Sequence, residues 1–473
     1  MQKHRGLLSP TGPGGIETSV HQEQLRNLPA IHQLAEHVEL TEAVQDFGRD
    51  AVVSACRFAI KQARTVILSG GGDAPTEALV TDAQRFLQQR QTLYRRALNA
   101  TGVILHTNLG RAPIPEPAWE AMQQAAGYCD LEMDLDSGKR ASRQRGIVDP
   151  IAQLTGAEAG LIVNNNAAAV LLATAALAGS RPTAISRGHL VEIGGSFRLS
   201  TILEASGSPV MEVGSTNRTH LADYAEALDK GAGLILLVHK SNFTMSGFVT
   251  EPRPEEVIAL AHERSVPVVL DLGSGNFNET ARFGLPEEST VPQAIAQGFD
   301  AVCFSGDKLM GGPQAGLIAG RAATCQQLSR HPLARALRCD KVQLAGVVAP
   351  INLYLRQESL RQVPIWSMIH ASPEALKKRA EAWRQRVGQG EVVESHGAVG
   401  GGSLPDASLS GYALRLSPPS PEALQRQLRQ ASPPVVGHIV NDHVLLHPRT
   451  VHPRDDAALV DVLQKALHAT SAP

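Results

Sequence analysis

The chain has 473 residues, of which 43% are hydrophobic, with a formal net charge of −2 and a pI of about 6.8. This length and apolar content suffice for a large core divided into more than one structural unit, and they exclude a disordered or fibrous protein. The near-zero net charge does not indicate a polyanion partner, although a local basic patch is compatible with it.

The cysteines and the amino-terminal segment bear on the compartment. The five cysteines form no CxxC pair, and with the 17 histidines they make no recognisable metal cluster, so we expect no metal site. The first residues lack the apolar core of a signal peptide, and no later run approaches the ~20 apolar residues that span a bilayer. We therefore expect a cytoplasmic protein without membrane contact.

The composition changes along the chain. Residues 1–20 are rich in Gly, Pro and Ser, which predicts a flexible tail. In residues 21–96 the apolar positions recur at intervals of three and four, which predicts a helical amino-terminal domain. Residues 343–473 mix charged helical stretches with short strand patterns, which predicts a small α+β carboxy-terminal domain.

Residues 97–342 alternate short apolar runs with Ala-rich amphipathic stretches such as the predicted helix 254–264. The strand candidates are AGLIVN (159–164), TAISR (183–187), PVMEVGS (209–215), LILLVH (234–239), PVVLDLG (267–273), DAVCFSG (300–306) and AGLIAG (315–320). This alternation predicts a large α/β domain with a mostly parallel sheet covered by helices.

A carboxylate and a lysine follow two of these strands. Asp271 lies at the end of PVVLD, and Lys308 follows AVCFS and the glycine-containing turn. Because ligands bind at the carboxyl edge of a parallel sheet, we expect both side chains to point into one crevice. Pyridoxal phosphate (PLP) needs a lysine for covalent attachment and a carboxylate at its ring nitrogen. Taken alone, a loop lysine is more often a solvated cation, and we expect Lys308 to be half-exposed.

A second strand end supplies a candidate phosphate site. Strand 159–163 leads directly into three asparagines and an Ala-rich helix, which places amide side chains and backbone N–H groups at a helix amino terminus. The candidate phosphate ligands are Asn165, Asn166 and Ala167. The alternative is an ordinary helix cap.

Other polar residues complete the candidate PLP site. Ser305 lies three residues before the lysine and can offer a hydroxyl to the phosphate. His239, Ser241 and Asn242 follow the strand LILLV, from which an amide or hydroxyl can reach the ring 3-oxygen. His189 is placed to stack on the ring, although a lone histidine is more often structural.

The order of these motifs resembles the aminotransferase-like, fold type I family of PLP enzymes. More narrowly, the chain resembles bacterial selenocysteine synthase, the L-seryl-tRNA(Sec) selenium transferase family, over nearly its whole length. The motifs that carry this resemblance are HTNLGRAP (106–113), IVNNNAAAVLL (162–172), SRGHLVEIGGSFR (186–198), EVGSTNRTH (212–220), DLGSG (271–275), FSGDKLMGGPQAG (304–316), HPLARALRCDK (331–341) and GGGSLP (400–405).

The resemblance implies a PLP-dependent conversion of seryl-tRNA(Sec) to selenocysteinyl-tRNA(Sec) with selenophosphate, through an aminoacrylyl-tRNA intermediate. Lys308, once released by the substrate, is the expected general base for the Cα proton. Asp307 is a candidate for delivering a proton to the leaving hydroxyl, and a turn or capping carboxylate is the equal alternative.

Three arginines are the candidate selenophosphate ligands because the guanidinium fork suits an oxyanion. Arg335 and Arg338 are three residues apart after Pro332, so we expect them to share one helix face. Arg111 is the third, from its motif. Without the family, a surface ion pair is the more common fate of any one arginine.

The resemblance also implies that the helical domain binds the tRNA and that the protein is a ring-shaped homo-oligomer built from dimers, a decamer. No DNA partner is expected. Residues 21–96 carry nine Lys and Arg against nine Asp and Glu, a net charge of zero. A phosphate-binding face must therefore come from clustering, for which the candidates are Arg85, Arg90, Arg95 and Arg96.

Two other functions are compatible with parts of this pattern. A small-molecule PLP lyase or ammonia lyase on the same fold would use the same centre, but such relatives lack the helical amino-terminal domain. A non-catalytic RNA-binding protein on a retired enzyme scaffold would have no need of Lys308, Asp271 and the asparagines.

Overall fold

The computed structural model describes residues 22–91, 94–193, 197–405 and 407–471. The chain divides into two compact units, one ending at Arg96 and one beginning at Ala97. The tail predicted at residues 1–20 lies outside the described residues. No helix within the described ranges is both long and apolar enough to cross a bilayer.

The amino-terminal unit is helical. Its α-helices are α1 (Ile31–Ala35), α2 (Thr41–Phe47), α3 (Arg49–Leu68) and α4 (Thr76–Gln91). Helix α3 buries Val52, Cys56, Ala59 and Ala63, a spacing of three and four that places them on one face. That face packs against α4, which buries Leu79, Ala83 and Leu87 in the same core.

In the part of the chain that the structure describes, the strands all belong to the second unit, which also contains the helices that follow Ala97. The strands are β1 (Leu98–Asn99), β2 (Val103–Leu105), β3 (Ala159–Val163), β4 (Thr183–Ser186), β5 (Glu192–Ile193), β6 (Phe197–Arg198), β7 (Val210–Val213), β8 (Leu234–Val238), β9 (Val268–Gly273), β10 (Ala301–Ser305), β11 (Gly316–Gly320), β12 (Glu391–Gly400), β13 (Ser408–Leu416), β14 (Val435–Val436), β15 (His438–Val440) and β16 (His443–Leu446). The helices are α5 (Glu116–Ala126), α6 (Arg145–Thr155), α7 (Asn166–Ala178), α8 (Leu199–Ala205), α9 (Leu221–Asp229), α10 (Pro254–Glu263), α11 (Val291–Ala296), α12 (Ala322–Arg330), α13 (Pro332–Ala336), α14 (Lys341–Leu355), α15 (Ser359–Gln362), α16 (Pro364–His370), α17 (Pro373–Val387), α18 (Pro421–Gln430) and α19 (Asp456–Ser471).

A seven-stranded sheet in the order β3-β11-β10-β9-β8-β4-β7 forms the centre of this unit. The pairs from β10 through β9, β8 and β4 to β7 are parallel, and β11 runs antiparallel to both β10 and β3. These are the seven strand candidates of the sequence, and the predicted α/β fold with a mostly parallel sheet is confirmed. Successive residues of β9, such as Val268 and Val269, enter different core clusters because the strand alternates between the two covered faces.

A second, five-stranded sheet has the order β15-β16-β13-β12-β2. Its strand β2 pairs in parallel with β12, and β1 pairs with β14, so residues 98–105 lie with strands from the end of the chain. The sequence interpretation placed these residues in the large domain, 97–342. The boundary at residue 342 itself stays a prediction.

Candidate active site

The carboxyl edge of β9 and β10 brings Lys308 and Asp271 together. Asp271 lies within β9, and Lys308 is in the turn that follows β10, the parallel neighbour of β9. A Cβ atom added to Gly273 would lie 3.7 Å from Asp271 Oδ1, 3.8 Å from Lys308 Nζ and 3.9 Å from Ser241 Oγ. The amine, the carboxylate and a hydroxyl therefore surround one point at the sheet edge.

Lys308 is buried, with 8% of its surface exposed, and the expectation of a half-exposed loop lysine was wrong. The reason is that the glycine-rich segment from the second sheet covers it, since a Cβ on Gly402 would lie only 2.7 Å from Nζ. The turn after Lys308 is held from the other side. Trp366 Nε1 and the Tyr354 hydroxyl both donate to the carbonyl of Leu309, at 2.8 and 3.0 Å.

Burial shifts the pKa of both groups toward the neutral form. Burial lowers the pKa of Lys308, Asp271 acts against that shift, and the positive charge of Arg111 adds to it. Burial raises the pKa of Asp271, which is 7% exposed, while a hydrogen bond from Asn166 and the charge of Lys308 oppose the increase. A lysine with a lowered pKa holds more neutral amine at physiological pH, as a nucleophile or base requires.

The asparagines after β3 lie beside this centre. Asn165 caps α7, because its side chain accepts a hydrogen bond of 2.8 Å from the Ala168 N–H, as in the helix-cap alternative. Asn166 Nδ2 donates to Asp271 Oδ1 at 2.8 Å, a contact that the sequence did not predict. The first N–H groups of a helix, here at Asn166 and Ala167, have no partner within the helix and can bind an anion.

His189 and His239 lie on neighbouring strand ends. His189 accepts a hydrogen bond of 3.4 Å at Nδ1 from the Val238 N–H, and its Nε2 lies 3.6 Å from Glu251. The hydrogen bond with His189, followed by the contact with Lys240, lowers the pKa of Glu251 to about 2. The His239 N–H donates to the Asp271 carbonyl at 2.9 Å, and burial lowers the pKa of its ring, which keeps it neutral.

Two predicted PLP ligands remain, Ser305 and Asn242, and the first of them lies closer in the chain to Lys308. Ser305 is buried at the end of β10, three residues before Lys308. Asn242 is exposed, and its amide nitrogen donates to the Glu192 carbonyl at 2.9 Å. In this arrangement Ser241, and not Asn242, offers its side chain to the centre beside Gly273.

Arg111 and Asp307 form an ion pair next to Lys308. Arg111 Nη1 lies 2.9 Å from Asp307 Oδ2, and the Ala112 N–H donates to the Asp307 carbonyl at 3.3 Å. Arg111 has a φ of 63°, which is rare for a residue with a side chain. The segment after β2 therefore fixes Asp307 from both its backbone and its carboxylate.

The arginines after Pro332 are exposed and do not share a helix face. Helix α13 ends at Ala336, so it contains Arg335 but not Arg338, and the expected shared face was wrong. The chain turns away here because the Leu337 carbonyl accepts a hydrogen bond of 2.9 Å from the Asn164 N–H. This bond ties the backbone between the two arginines to the asparagines after β3.

Several buried polar atoms around Lys308 have no hydrogen-bond partner among the described residues. They are Asn164 Oδ1, Asn166 Oδ1 and His239 Nδ1. Buried polar atoms are costly unless they are satisfied, so their concentration here indicates a polar ligand. With the buried amine and carboxylate, this set fits PLP, a polar aromatic ring with a phosphate.

The family model described as SelA, L-seryl-tRNA selenium transferase, matches residues 97–452. The chain belongs to this family. Members named L-seryl-tRNA(Sec) selenium transferase include those of Carboxydothermus hydrogenoformans, 39% identical over 91% of this chain and 95% of the relative, and Geotalea daltonii, 40% identical over 93% and 98%. The family predicted from the motifs is therefore confirmed, and so is the prediction of a transferase.

A solved structure titled D-glucosaminate-6-phosphate ammonia-lyase has a TM-score of 0.58 to this chain and is 19% identical. The match covers 81% of this chain and 99% of that one, and it shows the shared fold.

The structure also places residues at the site that received no role from the sequence. These are Glu288, Tyr354, Trp366 and Gly402. The motif GGGSLP (400–405) was the only sequence signal for Gly402, and nothing in the motif indicated which residue it covers. Tyr354 and Trp366 resemble ordinary apolar positions of helices until the fold shows what they contact.

Proposed function

We propose that this protein converts seryl-tRNA(Sec) to selenocysteinyl-tRNA(Sec), with PLP as its cofactor and selenophosphate as the selenium donor. The observation that carries this proposal is the convergence of Lys308 Nζ and Asp271 Oδ1 on one point beside Gly273, in a chain of this family. A small-molecule lyase on the same fold is less well supported, since the lyase structure shares 19% identity and the transferase relatives about twice that.

The residues at the sheet edge divide the binding of PLP among them. Lys308 would attach it, Asp271 would face its ring nitrogen, and the N–H groups of Asn166 and Ala167 would bind its phosphate. When bound, PLP withdraws electrons from the Cα of the substrate. Asn166 holds Asp271 in place through its 2.8 Å hydrogen bond, so one helix start serves both ends of the cofactor.

Lys308 takes the Cα proton of the seryl group. Its lowered pKa increases the fraction of neutral amine, and the cover over its side chain excludes water that would otherwise solvate the ammonium form. Asp307, held beside Lys308 by its ion pair with Arg111, assists the lysine in passing the proton taken from Cα to the departing hydroxyl, which leaves as water.

Selenophosphate binds where residues 332–338, which we call the arginine segment, meet the three asparagines that follow β3. The hydrogen bond between the Leu337 carbonyl and the Asn164 N–H brings the backbone between Arg335 and Arg338 to this place. Arg111 approaches from the Lys308 side through its pair with Asp307. Three guanidinium groups of this kind suit a small, multiply charged oxyanion.

The helical amino-terminal unit binds the tRNA. Of its candidate arginines, Arg85 is paired with Asp82 at 2.9 Å, and Arg90 lies over the Phe86 ring at 4.9 Å. Both residues lie on α4 but are five positions apart, so each would contact the phosphate backbone from its own side of the helix.

The protein assembles as a homo-oligomer built from dimers, a ring of ten subunits. Exposed large apolar side chains on and after α5 are suited to a subunit contact. They are Trp119, Tyr128, Met133 and Leu135. A cytoplasmic location is part of this proposal.

The decisive experiment supplies the purified protein with PLP, seryl-tRNA(Sec) and selenophosphate, and measures selenium bound to tRNA. We expect selenocysteinyl-tRNA(Sec) to form, and free serine under the same conditions to give no product. Turnover of a free amino or sugar acid, with seryl-tRNA(Sec) left unchanged, would replace this function with that of a lyase.

A further inference from the structure

Glu288 is a buried carboxyl group that the proposed reaction does not use. It lies between β9 and α11 and is 4% exposed. Its Oε2 accepts a hydrogen bond of 3.2 Å from the Leu404 N–H, and the Ser274 side chain also interacts with the carboxyl group. A carboxyl group is placed in such surroundings at a cost, so a specific role is expected of it.

The bond to Leu404 fixes the segment Gly400–Leu404, which we call the covering loop. A Cβ on Gly402 would lie 2.7 Å from Lys308 Nζ and 2.9 Å from its Cε, so the loop backbone rests directly on the lysine side chain. Leu404 has a φ of 51°, in the left-handed region that a leucine rarely adopts. A conformation of this kind persists only where other contacts hold it, and Glu288 supplies one.

Glu288 is itself anchored to the chain that leaves β9. Its N–H donates to Thr280 Oγ1 at 3.0 Å, and its carbonyl accepts from Asn276 Nδ2 at 3.0 Å. Asn276 is fully buried and follows the strand that carries Asp271. Glu288 therefore connects the exit of the Asp271 strand to the loop over Lys308, two segments that belong to different sheets.

We infer that Glu288 is a positioning residue that holds the covering loop over Lys308 and so keeps its amine beside Asp271. Lys308 and Glu288 also interact electrostatically, as expected for two charges in one buried region. The consequence for catalysis rests on the proposed function, whereas the hold on the loop does not.

The test compares Glu288→Ala, Glu288→Gln and Gly402→Ala with Glu287→Ala, an exposed neighbour that serves as the control. Hydrogen exchange of the Leu404 amide reports the hold on the loop. We expect exchange to be at least about tenfold faster in Glu288→Ala, since its hydrogen bond is lost, and near wild type in Glu288→Gln, which keeps an acceptor oxygen. Unchanged exchange in Glu288→Ala would overturn the inference.

The second readout is the pH titration of the visible absorbance of the PLP-loaded protein, which reports the surroundings of Lys308. We expect its midpoint to shift most in Glu288→Ala and Gly402→Ala, to shift less in Glu288→Gln, which loses the charge near Lys308 but keeps the hydrogen bond, and to stay near wild type in Glu287→Ala. The kcat should fall by up to about 100-fold in the shifted variants, because small displacements of a reacting group are costly. A change in thermal stability alone, with the midpoint unmoved, would show a merely structural role and reject the inference.

Gly402→Ala keeps the test decisive if Glu288→Ala does not fold, because it displaces the loop while Glu288 remains. An unmoved midpoint in Gly402→Ala would then reject the inference. A protein that holds no PLP fails the proposed function instead, and the exchange of Leu404 still decides whether Glu288 holds the loop.

Discussion

The Lys308 centre and the arginine segment Pro332–Arg338 serve two parts of the proposed reaction, and the chain fixes them differently. Lys308 and Asp271 are buried, and neighbouring side chains determine their positions. Arg335 and Arg338 are exposed, the backbone between them is held through the Leu337 carbonyl, and Arg338 also interacts electrostatically with Glu132. The difference teaches that buried contacts within the fold fix the lysine and the carboxylate, whereas the proposed donor site depends on exposed side chains.

The sharpest test of this comparison is Lys308→Met, which keeps much of the side-chain volume and removes the amine. We expect activity to fall by about 10⁴-fold, because the covalent attachment and the general base are lost together. Selenium transfer to tRNA measures the loss. Thermal unfolding should show a folded protein, and an unfolded variant would mean that the lysine is also needed for the core.

The burial of the Lys308 amine can be tested with the same variant, through the pH dependence of the free energy of unfolding. The pKa of Lys308 is lower in the folded chain than in the unfolded chain, so the unfolded state binds the proton more readily. The free energy of unfolding of the apoprotein should therefore rise as the pH rises from the lowered pKa toward the ordinary lysine value. Lys308→Met should lack this part of the rise, and identical pH curves would contradict the burial of the amine.

Asp271→Asn is expected to reduce activity by about 10²-fold, because a neutral amide cannot stabilise a protonated ring nitrogen. The measurement is kcat with saturating PLP and tRNA. Asn166→Ala is a useful companion, since it removes only the hydrogen bond that orients Asp271 and should cost less. If Asp271→Asn retained full activity, the carboxylate would not face the ring nitrogen.

Arg335→Ala and Arg338→Ala should each raise the KM for selenophosphate by about tenfold, with binding of seryl-tRNA(Sec) unchanged. The reason is that an exposed arginine can contact the donor without supporting the centre. Arg330→Ala, at an exposed arginine of the preceding helix, is the control. If either substitution impaired seryl-tRNA(Sec) binding as much as it raised the KM for selenophosphate, the arginine segment would not be a separate donor site.

The smallest effect is expected in the amino-terminal unit. Arg90→Ala should weaken tRNA binding uniformly and lower the slope of log K against log salt by about 1, because one phosphate contact is lost. Filter binding at several salt concentrations measures this slope. Arg26→Ala, outside the candidate cluster, is the control. Equal slopes in wild type and Arg90→Ala would show that Arg90 makes no contact with the tRNA phosphates.

The parallel sheet was accessible from the sequence because its strands are short apolar runs that end in polar residues. The pairing of Asp271 with Lys308 was accessible for the same reason, since adjacent parallel strands end at one edge. The cover over Lys308 could not be predicted from the sequence, because Gly402 and Glu288 come from segments more than 100 residues apart that meet only in the folded chain.

Details of local geometry also escaped the sequence. The end of α13 before Arg338 depends on a hydrogen bond from Asn164, which no helical spacing rule contains. The exposure of Asn242 depends on a bond to Glu192 across a loop. In both cases a contact distant in sequence determined where a polar side chain points, and local propensity carries no information about such contacts.

The pairing of β1 and β2 with strands from the end of the chain constrains how the polypeptide can be divided. A fragment that stops after the large sheet would lack β12 and β14, so β1 and β2 would lose their pairing partners. It would also lack Gly402, which covers Lys308. A cut before Ala97 breaks no strand pairing among the described residues, since the strands they form all lie after it. Deletion from the amino end is thus the route to a minimal catalytic fragment, and deletion from the carboxyl end is not.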